Sequence, residues 1–325
     1  MYIPNVQILQ AHITWKQCTE LPINFCNGKT IVIDGKVYCG GGLTDEKEFI
    51  VYCYNISLDE WTTLLPLPVK WFGLGQVNGQ LVAVGGKKKS DLTTSNDIYT
   101  YDEPSQKWEE TIPSMPTARD SPGVLSLPSA LIVAGGDGGI WAYTAAVEIF
   151  KPDTSQWYIV EPLPIACEDI SLASIGNTCY ALGGWRNDSE SHLNQALCAT
   201  VDDLLCGAAT ITANDTTYSG GSSDTPSAWK ILPDTPTYRP AAAMLAGSLL
   251  ALGGCETLAG RADKKEVYTY SPSTNSWIYV SNLPTPRSKI AVALLSSTEL
   301  LVIGGSVGSV KVNTIIKGTL TMSIL

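Results

Sequence analysis

Basic residues and histidines are scarce in this chain. Among 325 residues there are 21 Lys and Arg against 31 Asp and Glu, which gives a net charge of −10, and there are only two His. A nucleic-acid-binding surface needs clustered basic residues to neutralise phosphates. The composition therefore argues against nucleic acid as a partner, and the acidity favours solubility.

Long apolar runs and paired cysteines are also missing. No stretch approaches the roughly 18 apolar residues of a membrane span, and residues 1–10 lack the basic and apolar regions of a secretory signal. The nine Cys include no C-x-x-C pair. We therefore expect reduced, buried thiols in a cytoplasmic protein that does not contact a membrane.

Motifs of catalysis and cofactor binding are absent as well. His12 and His192 stand at no metal-ligand spacing from Cys or from each other, and both are expected at the surface. The chain has no G-x-S-x-G motif, no Walker-type loop and no dinucleotide fingerprint. We therefore expect no cofactor, no metal and no enzyme activity. A pair of carboxylates acting on a glycan stays open as an alternative.

What the chain does contain is an internal repeat. A Gly-Gly pair that follows an apolar run occurs six times, at successive intervals of 45, 50, 48, 70 and 51 residues. The first glycines of these pairs are Gly40, Gly85, Gly135, Gly183, Gly253 and Gly304. A Trp lies 24 to 27 residues before each pair, and the six are Trp15, Trp61, Trp108, Trp157, Trp229 and Trp277.

This combination of period, Gly-Gly pair and Trp resembles the Kelch repeat. The resemblance covers nearly the whole chain and implies an all-β fold, a six-bladed β-propeller with four antiparallel strands, a to d, in each blade. Residues 1–325 are then expected to form a single domain. A Gly pair admits close backbone approach or positive φ, and a buried Trp fills the space between two stacked sheets. Both are therefore assigned to the scaffold.

The repeat is offset along the chain and interrupted once. The sequence begins with a lone strand around Trp15 and ends after a third strand near residues 310–316, so the Trp15 strand is expected to complete the last blade and close the ring. The long interval of 70 residues contains a segment rich in Ala, Thr, Ser, Gly and Asp. We interpret residues 203–227 as a flexible insertion between strands c and d of blade 4.

The b–c and d–a loops share one face of the disc and are the longer, more variable ones, so this face is the expected binding surface. A proline after each Trp aligns the d–a loops. The residues three positions after it are Phe25, Trp71, Arg119, Cys167, Arg239 and Arg287. Phe25 and Trp71 are candidates for partner binding, as are the three arginines. In Kelch adaptors of the ubiquitin-ligase type, arginines at this entry to strand a line a peptide pocket, which the resemblance transfers to Arg119, Arg239 and Arg287. Alternatively, each arginine pairs with a carboxylate inside the propeller.

The b–c loops add further candidates for partner binding. These are Trp141, Trp185, Arg186 and Arg261, together with the run of lysines at 87–89. We predict a protein-interaction module that binds a protein or peptide, expected to be acidic, as a monomeric isolated domain. It would serve as the substrate-recognition part of a ubiquitin-ligase adaptor. Alternatives are an actin-binding cytoskeletal scaffold and an enzyme similar to galactose oxidase, whose copper needs His and Tyr ligands.

Overall fold

The chain folds into six antiparallel sheets arranged as the blades of a propeller, as predicted. The structure is a computed structural model, and it describes residues 9–45, 49–139, 141–187, 192–206, 208–210, 227–257 and 262–324. The innermost strands of neighbouring blades contact one another in succession, and blade 6 contacts blade 1, so the ring is closed. No helix in the described part of the chain is long and apolar enough to cross a membrane.

Each blade has its strands in the order a to d from the axis outward. In blades 1 to 3 the strands are Lys29–Ile33, Lys36–Gly40, Tyr52–Asn55 and Glu60–Thr63; Gly73–Val77, Gln80–Lys88, Thr94–Asp102 and Lys107–Glu109; and Gly123–Leu127, Ala130–Ala134, Val147–Lys151 and Gln156–Val160. In blades 4 to 6 they are Ser171–Ile175, Thr178–Leu182, Ala196–Thr200 and Lys230–Ile231; Ala241–Leu245, Ser248–Leu252, Glu266–Ser271 and Ser276–Asn282; and Ala291–Leu294, Glu299–Ile303, Ile315–Ile324 and Leu9–Gln17.

The N-terminal strand closes the ring, which confirms the prediction. Leu9–Gln17 pairs antiparallel with Ile315–Ile324 over its whole length, so the first strand of the chain is strand d of blade 6. Ile13 is buried in the core between blades 5 and 6. The pairing gives every backbone group on the inner side of this strand a partner and leaves no open edge between the first and last blades.

The repeat tryptophans of blades 1 to 5 fasten each of these blades to the blade before it, whereas the indole N–H of Trp15 in blade 6 has no partner among the described residues. In four blades the Trp packs against the aromatic residue seven positions earlier, for example Tyr101 and Trp108 with ring centroids 5.1 Å apart. The indole N–H of Trp108 donates to the carbonyl oxygen of Leu65 at 2.9 Å, and that of Trp157 donates to Pro113 at 2.7 Å. Each acceptor lies just past strand d of the preceding blade, so the Trp joins two sheets by packing and by a hydrogen bond.

The Gly-Gly pairs are required because the next blade's d–a loop touches their backbone. Gly135 has φ of +64°, and a Cβ there would lie less than 3.0 Å from the carbonyl oxygen of Cys167. The N–H of Gly136 donates to the same oxygen at 2.8 Å. In blade 1 the pair in this position is Gly41–Gly42, because it is Gly41 that has a positive φ and meets the following loop. The predicted pair Gly40–Gly41 therefore lies one residue before the pair that makes this contact.

The insertion in blade 4 begins with ordered structure. A helix, Val201–Cys206, follows strand c directly, and Leu204 is buried in the core. Ala209–Thr210 then pairs with strand d of blade 3. In place of the predicted loop, residues 203–206 belong to a helix and residues 209–210 to a short strand, and apolar residues of the helix pack against the blades. Residues 207 and 211–226 of the predicted insertion lie outside the described residues.

Short two-residue strands complete the face formed by the b–c and d–a loops. These are Phe25–Cys26 with Leu43–Thr44, Val69–Lys70 with the end of strand b of blade 2, and Ser306–Val307 with Val310–Lys311. They make the loops of this face regular where they enter and leave the blades. The candidate binding site at the mouth of the central channel is built on these regular loop segments.

Candidate binding site at the mouth of the central channel

Each d–a loop ends in one residue with left-handed backbone, two positions before strand a. We call these six residues the mouth ring: Asn27, Trp71, Ser121, Asp169, Arg239 and Lys289, all with φ between 50° and 56°. Positive φ is uncommon outside glycine and is most unusual for a bulky residue, so its recurrence in all six blades reflects a common turn. All six residues line one cavity of about 510 Å³ at the end of the channel.

Backbone hydrogen bonds join members of the mouth ring directly. The N–H of Ser121 donates to the carbonyl oxygen of Trp71 at 2.6 Å, and that of Asp169 donates to Ser121 at 2.9 Å. Across the closure of the propeller, Asn27 donates to Lys289 at 2.9 Å. The ring is therefore a fixed frame, on which the side chains alone differ from blade to blade.

The residue three positions after the proline belongs to the mouth ring in two of the six blades. In blades 2 and 5 the stretch from the proline to strand a is two residues shorter than in the other four. Trp71 and Arg239, three residues after their prolines, are therefore ring residues. In the longer loops the same count stops two residues early, at positions that are buried between blades: Phe25, Arg119, Cys167 and Arg287.

Arg119 is a structural residue, so its assignment to partner binding is wrong. Its side chain is 0% exposed and forms an ion pair with Glu148 at 2.9 Å. The guanidinium also donates to the carbonyl oxygens of Gly135 and Ala146, at 3.0 and 2.8 Å. Burial lowers the pKa of Arg119 and raises the pKa of Glu148, while their mutual attraction opposes both shifts. The alternative of a carboxylate partner inside the propeller holds here.

Arg287 and Phe25 are likewise removed from the binding face. Arg287 is buried and donates to the hydroxyl of Thr285 at 2.7 Å and to the carbonyl oxygen of Gly304 at 3.3 Å. Phe25 is 1% exposed and packs in the core between blades 6 and 1. Both predictions are wrong because the two-residue difference in loop length turns these side chains inward.

Arg239 is at the mouth, but its charge is already matched. Its guanidinium forms an ion pair with Asp169 and donates to the side-chain oxygen of Asn27 at 3.0 Å. Lys29 reaches the other carboxylate oxygen of Asp169 at 2.9 Å. Burial by itself raises the pKa of Asp169, yet the two cations together hold it below its usual range. The predicted triad of free arginines for an acidic partner is therefore absent.

A second tier of residues lies beside the mouth ring. The residue directly after each Gly-Gly pair is paired, as in an antiparallel β-bridge, with the residue that directly precedes a mouth-ring residue. The members of this tier are Leu43, Lys87, Asp137, Trp185, Cys255 and Ser306, opposite Cys26, Lys70, Asp120, Glu168, Tyr238 and Ser288. Of the first set, Leu43, Lys87, Asp137 and Trp185 line the cavity. The position after the Gly-Gly pair is the signal in the sequence that could have identified them.

Blades 3 and 4 bring three aromatic side chains together, which we call the aromatic cluster: Trp141, Tyr143 and Trp185. The ring centroids of Trp141 and Trp185 are 5.7 Å apart, and Tyr143 stands edge-on to Trp185 at 5.9 Å. Trp141 is 57% exposed at the rim. The carboxylate of Asp137 accepts hydrogen bonds from the N–H of Gly139 and of Trp141, at 2.8 and 3.2 Å, and so fixes this loop.

Carboxylates line the same side of the cavity. Burial raises the pKa of Asp120 to about 6, and the neighbouring charge of Asp137 adds to the rise. Burial also raises the pKa of Glu168 to about 8, together with the charges of Asp169 and Asp120. A single lysine, Lys87, approaches Asp120, at 3.9 Å. This half of the mouth therefore concentrates carboxyl groups whose ionisation is opposed by burial and by one another.

The other half of the mouth carries Trp71 and the remaining lysines. Lys70 and Lys87 lie over the indole ring of Trp71, 4.1 and 5.3 Å from its centroid. Lys88 pairs with Asp97 at 3.1 Å, outside the cavity lining.

Of the remaining candidates, Arg186 is half-buried next to the aromatic cluster, and Arg261 lies outside the described residues. His192 lines the cavity and His12 lies on strand d of blade 6; both are half-buried, so their prediction as exposed residues is wrong. Among the described residues there is no group of three or more His, Cys, Asp or Glu arranged to hold a metal ion.

Several curated proteins are similar to this chain in sequence. The Kelch-like protein terF of Aspergillus terreus is 30% identical over 155 residues, 43% of this chain and 34% of the relative. Beta-scruin of Limulus polyphemus is 24% identical over 194 residues, 55% and 21% of the two chains. Kelch-like protein 25 of Xenopus tropicalis is 24% identical over 260 residues, 77% and 39%. No protein-family model matches the chain.

The chain is therefore similar in sequence to Kelch-like proteins and folds as a six-bladed propeller. The solved structure of YjhT matches this propeller with a TM-score of 0.69 over 94% of this chain and 99% of that one, at 15% identity. That likeness concerns the fold alone. The aligned part of this chain spans between about a fifth and two fifths of the lengths of the three curated relatives.

Proposed function

We propose that this Kelch propeller is a protein-interaction module that binds a segment of a partner protein at the mouth of its channel. The observation that carries the proposal is the cavity of about 510 Å³, framed by the mouth ring and bordered by the exposed Trp141. Cavities of roughly 300–1,000 Å³ are typical of ligand sites. A Trp presented at the rim of such a cavity is typical of the anchors that dominate protein interfaces.

Binding rather than catalysis fits the way the polar groups at the mouth are used. Asp137 holds the backbone of its own loop, and Asp169 is held between Lys29 and Arg239. His12 is hydrogen-bonded to Thr321 on the outer strands of blade 6, whereas His192 lies at the mouth. This separation supports neither the copper site of an oxidase nor a nucleophile with its base.

A role as a ubiquitin-ligase adaptor and a role as an actin-binding scaffold differ in the partner protein that the propeller binds. Two relatives are named Kelch-like protein terF and beta-scruin, and both are longer than the part that aligns with this chain. A partner captured through the mouth identifies which role applies. The experiment therefore has to separate capture through the mouth from capture by any other surface.

The test compares two double variants with the wild type. Trp141→Ala with Trp185→Ala removes the aromatic anchors, while Ile278→Ala with Tyr279→Ala removes two exposed side chains on strand d of blade 5, 48% and 54% exposed. Each protein is immobilised and the proteins it captures from a lysate of its own source are quantified.

We expect the mouth variant to lose at least about nine tenths of a specific partner, as truncating an interface anchor costs about 2 kcal/mol or more. The blade 5 variant should retain it, and both variants should unfold at the wild-type urea concentration. Unchanged capture by the mouth variant would refute the proposal.

A further inference from the structure

The acidic and aromatic half of the mouth brings carboxyl groups and indole rings to one wall of the cavity. Glu168 and Trp185 stand directly opposite each other on an antiparallel bridge, with backbone N–H to oxygen distances of 2.9 and 2.8 Å. Opposed residues in such a pair have side chains on the same face, about 5 Å apart. The carboxylate of Glu168 therefore stands beside the indole of Trp185, and both line the cavity.

A second bridge nearby places two carboxylates against each other. Asp120 and Asp137 are directly opposite, joined by backbone hydrogen bonds of 2.8 and 2.9 Å. Like charges in opposed positions destabilise an antiparallel pair, and the side chain of Asp120 is only 4% exposed. Lys87, at 3.9 Å, compensates one of these charges in part.

Glu168 lacks a paired cation among the described residues, although the charge of Arg239 acts on it from beyond ion-pair distance. No ion pair or side-chain hydrogen bond joins it to any other described residue, whereas its neighbour Asp169 has both Lys29 and Arg239. A cation entering beside Glu168 would find its carboxyl group together with the rings of Trp141 and Trp185, which line the same cavity. Both groups attract positive charge, and the attraction strengthens as water is excluded.

We propose that this half of the mouth is a seat for a cationic side chain, Lys or Arg, of the partner segment. The seat is formed by Glu168, Asp120, Trp141 and Trp185, all of which line the cavity. This inference rests on the proposed function and reverses the predicted sign of the partner: the segment carries a positive charge where it enters the mouth. Trp141 covers the outer side of the bound group, since it is the exposed member of the cluster.

The seat is tested with small probes that need no identified partner. The cationic probes are the Nα-acetyl amides of arginine and lysine, whose side chains stay charged. The Nα-acetyl amide of citrulline is the neutral control, and the Nα-acetyl α-amide of glutamate is the anionic control. The protein is labelled with 5-fluorotryptophan, and the ¹⁹F signals of Trp141 and Trp185 are assigned from Trp141→Phe and Trp185→Phe. The cationic probes should shift these two signals saturably, and the controls should leave them unchanged at equal concentration.

Variants and pH separate the seat from general stickiness. Glu168→Gln should weaken arginine amide binding about tenfold or more, the usual range for losing a charge-assisted bond, and Lys88→Gln, outside the cavity, should not weaken it. Burial and the charges of Asp169, Asp120 and Asp137 outweigh the opposing effect of Arg239 and raise the pKa of Glu168 to about 8. Glu168 therefore becomes ionised between about pH 7 and 9, and binding of the cationic probes should strengthen over that range. Glu168→Gln should remove that dependence, whereas His192→Gln, on the same wall, should keep it.

The outcomes distinguish this inference from the proposed function. Binding of the glutamate amide instead of the cations, or equal binding of arginine and citrulline amides, would overturn the seat. If the probes fail while the Trp141/Trp185 variant still loses its captured partner, the seat is wrong and the interaction module stands. If the probes bind but that variant captures its partner normally, the seat is right and the proposed function is wrong.

Discussion

Replacing Arg119 by Met tests whether this arginine holds the blades together or binds a partner. Arg119 is fully buried, pairs with Glu148 at 2.9 Å and donates to the carbonyl oxygens of Gly135 and Ala146. Met has a similar volume, so the change removes charge and hydrogen bonds more than packing. Leaving one member of a buried ion pair without its partner costs about 3–5 kcal/mol. We therefore expect the free energy of unfolding at pH 7 to fall by about that amount.

The pH dependence of this loss follows from Glu148. Burial raises its pKa, and the positive charge of Arg119 limits the rise. Without Arg119 the pKa rises further. A carboxyl whose pKa is higher in the folded than in the unfolded state lowers stability as pH rises above the unfolded value, which is about 4.3 for Glu. The difference between wild type and Arg119→Met should therefore grow from about pH 5 to 8 and shrink below about pH 4.

The assay is urea unfolding at several pH values with three variants. Arg119→Met with Glu148→Met should recover most of the loss, since replacing a buried pair by apolar groups is often neutral. Lys88→Met removes a partly exposed pair with Asp97 and should change stability by less than about 1 kcal/mol. An Arg119→Met protein that unfolds like the wild type but no longer binds its partner would refute the reasoning and restore Arg119 to the binding site.

Two further predictions concern the scaffold. Gly135→Ala should destabilise the protein by well over the roughly 1–2 kcal/mol of a left-handed alanine, because its Cβ would meet the carbonyl oxygen of Cys167. Gly79→Ala, also at positive φ but with open space around it, should cost only the strain of the left-handed backbone. Equal urea midpoints for the two variants would contradict the steric argument. Deleting residues 1–17 removes strand d of blade 6 and exposes Ile315–Ile324 as an open edge, so the truncated protein should self-associate in light scattering, while deletion of residues 1–8 should not; a monomeric truncated protein with an unchanged midpoint would argue against closure by this strand.

The sequence by itself determined the number of blades, the strand order within them and the closure by the Trp15 strand. These features follow from local requirements that recur in each copy. A glycine is needed where the next loop's carbonyl oxygen leaves no room for a Cβ, and a Trp is needed to span two sheets and reach a carbonyl on the preceding blade. Because each of these two contacts recurs in five of the six blades, its residue type and spacing repeat and can be read without coordinates.

Only the tertiary structure decided which loop residues face the mouth. A difference of two residues in d–a loop length places Arg239 in the mouth ring but Arg119 and Arg287 between the blades, and no residue type marks that difference. The aromatic cluster and the opposition of Glu168 to Trp185 join segments of separate loops. Such contacts depend on how neighbouring loops are set side by side by the ring, which the spacing of the repeats does not encode.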